Sequence, residues 1–167
     1  MKSLQLKVLS VVASALAVVG VVVAPQAAAA ERNLVAFGDS VLADPDAGSY
    51  FAHRFDPSKV AGVDCPTSNN YAKRAGAKLR LPVRDFSCSG AVSMSPGPQV
   101  SQQVDAAIRS GALSPATNRV VITTGFNDTY NHRDMNLPQI RKQFADRTAP
   151  QVERIKRAAP NARVQIV

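Results

Sequence analysis

NRVVITTGFND, residues 118–128, is the clearest strand signal in the chain: a β-branched apolar run that stops at Gly125 and passes into polar, turn-forming residues. A short unbroken apolar run bounded by a turn signal is how a strand buried on both faces reads. NLVAF (33–37) repeats the pattern and stops at Gly38-Asp39-Ser40, RLPVRDFS (80–87) leads into Cys88-Ser89-Gly90, and ARVQIV (162–167) is a further candidate. Between these runs the apolar spacing becomes helical. Tyr71 to Leu79 is predicted as a helix capped by Ser68 or Asn69, and Val100, Val104, Ala107 and Ile108 mark a second. Ile140 with Phe144, and Val152 with Ile155 and Ala159, predict two separate helical segments divided at Pro150, which suits the first turn of the latter. Residues 41–66, rich in Asp, Pro and Gly, are read as surface loop with a short helix. Short strands alternating with helices predict an α/β fold with a mainly parallel sheet.

In such a fold, sites form where the carboxyl ends of the strands face a crevice. Three of the strand candidates end there in small and polar residues: GDS (38–40), CSGA (88–91) and GFND (125–128). Ser40, in the turn after a strand, is exposed and becomes a nucleophile if a base accepts its proton. Asp39-Ser40 also reads as an ordinary helix cap. Gly90 lets its backbone N–H approach a bound oxygen closely, and Asn127 carries an amide donor; as turn residues, both would be unremarked. Together with the Ser40 N–H they would form an oxyanion hole for acyl transfer, worth several kcal/mol to the transition state.

On these three blocks, FGDS (37–40), SCSGA (87–91) and GFND (125–128), the sequence resembles the GDSL or SGNH hydrolases over about residues 33–167, most nearly their secreted actinobacterial lipase and esterase branch. The resemblance implies a flavodoxin-like three-layer sandwich with a five-stranded parallel sheet. It implies ester cleavage through an acyl-enzyme without metal or organic cofactor, with Ser40 as nucleophile and Gly90 and Asn127 as oxyanion donors. It also implies a disulfide just before the glycine block. Two positions depart from the family pattern: Asp44 stands where GDSxxxG has its glycine, and Phe126 where GGND has its second. The Asp-x-x-His block that carries the family's base is absent from these 167 residues, whose two histidines, His53 and His132, follow Tyr50 and Thr129 at the third position back. The chain is therefore read as a partial domain, lacking the family's last strand and helix.

Ahead of residue 31, Lys2 and Lys7 precede an uncharged run from Val8 to Ala24, followed by APQAAAA, with Ala28 and Ala30 placed for cleavage before Glu31. That pattern predicts a secretory signal peptide at 1–30, a domain at 31–167 and a secreted product; a retained anchor is the other reading. An oxidising compartment and an even count of two cysteines favour a Cys65–Cys88 disulfide over free thiols or a metal site. The net charge of +8 suits an anionic partner such as an acidic cell envelope. The basic residues are scattered, with no zinc-finger spacing or aromatic-interleaved stripe, so nucleic acid is not expected as a partner.

The leading expectation is a secreted serine esterase or lipase acting on a small-molecule or lipid ester. The alternative is a non-catalytic exported protein that binds lipid or glycan in the same crevice without a base. A degenerate product with no folded function is the third.

Overall fold

The computed structural model describes residues 31–167. The export segment read at 1–30 lies outside them. Strand β1 (Leu34–Gly38) is buried at every position, because it runs through the middle of the sheet with a layer on each face. Around it lie β2 (Val83–Asp85), β3 (Arg119–Thr123) and β4 (Arg163–Ile166), in the order β2-β1-β3-β4 and all parallel. The fold is thus α/β with a parallel four-stranded sheet. Connections between parallel neighbours need crossovers, and helices supply them: α1 (Ser40–Ala43), α2 (Ala47–Arg54) and α3 (Tyr71–Leu79) precede β2, α4 (Val100–Arg109) precedes β3, and α5 (Phe126–Asn131) and α6 (Leu137–Ala158) precede β4.

Side chains alternate across the sheet and divide the core in two. Val35 and Phe37 of β1 and Val120 and Ile122 of β3 pack with Val100, Val104 and Ala107 of α4 and Ile155 and Ala159 at the end of α6. Leu34, Ala36 and Val121 face the other way, toward Leu42 of α1 and Ala72 of α3. β2 and β4 are the sheet's edges among the described residues; on β4 Val164 reaches the first cluster, whereas Ile166 is 55% exposed.

Three local expectations need correction. Leu137–Ala158 is one helix that contains Pro150, not two segments divided there. Pro150 and Asp146, whose carbonyl loses its amide partner, are both exposed, so water can take the freed acceptor while Ile155 anchors the inner face. Its start is a capping box in which the Asn136 and Gln139 side chains bond each other's backbone N–H. The cap of α3 is Asn70, not Ser68 or Asn69; its Oδ1 accepts from the N–H groups of Ala72 and Lys73. β2 is shorter than the run 80–87, because Arg80 closes α3 in the left-handed region at φ 54° and Asp85 ends the register with β1.

Candidate active site

The chain moves from β1 to β2 on one side and returns to β3 on the other, so the carboxyl ends of β1 and β3 flank a topological switch point. The end of β1 is held tightly there. Gly38 donates its N–H to Gln103 Oε1 at 2.8 Å, and its carbonyl accepts from Gln103 Nε2 and from the Cys88 N–H, each at 2.9 Å. A Cβ at position 38 would lie 2.4 Å from the Thr123 carbonyl oxygen, so only glycine allows β1 and β3 to meet so closely. The next residue, Asp39, donates its N–H to that same oxygen at 3.0 Å.

Asp39 does cap a helix: its Oδ1 accepts the Val41 N–H at 2.9 Å and starts α1. This sets Ser40 as the first helical residue, exposed, with neither its N–H nor its Oγ bonded to any described residue. Ser40 lines an open cleft of about 480 Å³ with Ser89 and Gly90 on one side and Asp44, Tyr50 and Phe51 on the other. Gly90 takes φ +82°, a conformation that favours glycine, with open space where a Cβ would be. Asn127, at the start of α5, donates one amide N–H to the Ala91 carbonyl at 2.9 Å, one residue along from Gly90. Ser40 and Gly90 therefore share one cleft, and Asn127 is tethered to its Gly90 wall. Cys65 and Cys88 form a disulfide that ties the long loop after α2 to this same wall.

Two residues with no role assigned from sequence hold the cluster in place. Gln103, fully buried on α4, clamps Gly38 as described. Asp128, also buried, accepts from the backbone N–H groups of Ser93, Met94 and Ser95 at 2.8–2.9 Å and from Ser95 Oγ at 2.9 Å. It fixes the loop that follows Gly90. Neither could be found by spacing, since their partners are distant in the chain. Asp128 also acts on Asp39: burial pushes the Asp39 carboxyl above the usual range, the Val41 N–H pulls it down, and the Asp128 charge pushes it up again.

Neither histidine lines the Ser40 cleft. His53 sits in the wall of a neighbouring cavity, and His132 ends α5. Among the described residues no three His, Cys, Asp or Glu side chains gather as a metal site would require, and no helix is long and apolar enough to cross a membrane.

No family model matches the sequence, and no curated protein matches it. Solved structures do. An active-site mutant of a family two carbohydrate esterase from Clostridium thermocellum superposes with TM-score 0.53 and 15% identity over 81% of this chain. An acetyl xylan esterase from the rumen bacterium Butyrivibrio proteoclasticus does so with TM-score 0.54 and 15% identity over 81%. At such identity the likeness concerns the fold. The chain spans less than half of each of these structures, 42% and 46%.

Proposed function

We propose that this chain is the nucleophile-bearing part of an exported serine hydrolase that cleaves carboxylic esters, with residues 1–30 its export signal and 31–167 part of the hydrolase domain. The observation that supports it best is that Ser40 and Gly90, far apart in sequence, line one cleft formed by the segments that follow β1 and β2. In this reading Ser40 Oγ attacks the ester carbonyl carbon while a base takes the hydroxyl proton. The carbonyl oxygen, now negative, receives the N–H groups of Ser40 and Gly90 and the second amide N–H of Asn127. Each such donor is worth about 3 kcal/mol to the transition state. Collapse expels the alcohol, which takes up the proton; water then attacks the acyl-enzyme and releases the acid. Exposed Val41 and Phe126, beside the nucleophile and the amide donor, offer apolar surface to the acyl or alcohol part. The surplus of positive charge would favour weak association with an anionic envelope.

The base in this reading is an imidazole from an Asp-x-x-His block outside these residues. The unbonded Ser40 Oγ and the lack of histidine in the cleft lining fit that assignment. They equally favour a second reading, in which the chain binds a lipid or glycan in the cleft and turns nothing over. Loss of a triad member costs about a million-fold in turnover. Labelling with a fluorophosphonate, read by intact mass with Ser40→Ala as control, separates the two. Labelling that vanishes in the control supports a hydrolase with its base inside residues 31–167; a folded chain labelled only once a segment carrying an Asp-x-x-His block is supplied supports the hydrolase with its base outside them, and one unlabelled in both forms supports the binding protein.

A further inference from the structure

A second cavity, of about 70 Å³, lies against the Ser40 cleft, and Tyr50 and Ser89 line both. Its wall also carries His53 and Arg54 from α2 and Lys59 from the following loop, and no carboxylate is among its lining residues. Arg54 and Lys59 enter none of the ion pairs formed among the described residues. His53 Nε2 is buried without a hydrogen-bond partner there. One carboxylate, Asp56, is close enough to feel the charges of Lys59 and His53. It is held by its own loop, accepting from the Ser58 N–H at 2.9 Å and from Ser58 Oγ at 2.7 Å. One negative charge against Arg54 and Lys59 leaves the cavity net positive.

We infer that this cavity is a subsite for an anionic group, a phosphate or a carboxylate, carried by the molecule whose ester lies at Ser40. The cavity's volume of about 70 Å³ exceeds the roughly 10–15 Å³ that a single water needs, so it admits a small polar group. The Arg54 fork and the Lys59 ammonium supply charge-assisted donors. The disulfide fixes the spacing: Cys65 lines the cavity and is bonded to Cys88, just before Ser89 and Gly90 of the cleft. The substrate class that follows is an ester bearing a negative charge a short reach from its carbonyl. That last step rests on the hydrolase reading; anion binding by the cavity does not.

The test uses the Ser40→Ala protein, which cannot be acylated, observed by amide and histidine-ring NMR during titration with inorganic phosphate and, separately, succinate, at constant ionic strength. The expected result is saturable shifts at His53, Gly62 and Ser89. Arg54→Gln combined with Lys59→Met should weaken binding by about tenfold or more, and Asp56→Asn should tighten it. Tighter phosphate binding identifies phosphoryl-bearing esters, and tighter succinate binding identifies carboxylate-bearing ones. Mono-4-nitrophenyl succinate should displace the bound anion, while neutral 4-nitrophenyl acetate should not. Shifts that never saturate, fall elsewhere on the molecule or survive the double substitution overturn the proposal. Failure of fluorophosphonate labelling leaves this titration readable, so the two readings fail separately.

Discussion

Asp39 gives one carboxylate oxygen to the Val41 N–H and leaves the other buried without a partner, close to a second buried acid, Asp128. Its carboxyl is raised above the ordinary range, so the folded state holds this proton more tightly than the unfolded chain does. The resulting stability is complete below the unfolded value, about 3.9, and is lost as pH rises through the folded one. Asp39→Asn keeps a good N-cap and removes the titration, so the decline of the urea midpoint above about pH 4 should flatten in the variant. For Asp128 the expectation is a direct loss. Asp128→Ala strips the acceptor from three backbone N–H groups and one hydroxyl. A cost of about 3 kcal/mol in chemical denaturation follows, tempered by water reaching the loosened loop. In the sequence, Asn127 and Asp128 are neighbouring Asx residues after a strand, and nothing local says that one is tethered to the cleft wall while the other is buried beneath the loop of Ser93 to Ser95. That distinction is made by partners from another part of the chain.

The elements themselves were largely legible, because each carries its signal locally. β1 and β3 are unbroken apolar runs since both faces are covered, and α3 and α4 show the spacing of helices with one buried face. α6 is where local reasoning failed. Proline inside a helical pattern reads as a helix end, yet the capping box at Asn136 and the packing of Ile155 and Ala159 carry the helix across Pro150 on the solvent side. Pro150→Ala restores an amide donor and should raise stability by about 2 kcal/mol in thermal or chemical unfolding, after allowing for the looser unfolded chain. β2 erred in the other direction: a candidate reaching from residue 80 to 87 contains only three residues in register with β1, because the end of α3 and the turn at Ser87 claim the rest.

For the molecule as a whole, the Cys65–Cys88 disulfide joins the loop after α2, which walls the basic cavity, to the strand end that carries Gly90. Replacing both cysteines by serine should cost about 3 kcal/mol from the freed loop. That corresponds to a fall of about 10 °C in the unfolding midpoint, measured against the native protein with and without reductant. The same substitution should also weaken anion binding, because Cys65 lines the cavity. By itself the sequence determined the α/β class, the places where β1, β2 and β3 end in small polar clusters, and the two cysteines available to pair, because strand and helix periodicity and turn chemistry act within a few residues. Only the tertiary structure decided that Ser40 and Gly90 share a cleft, that neither histidine lines it, that Gln103 and Asp128 hold it, and that His53, Arg54 and Lys59 converge beside it. The pairings of Ser40 with Gly90, of Gln103 with Gly38 and of Asp128 with its loop depend on sheet order and register, which bring together residues the chain itself holds far apart.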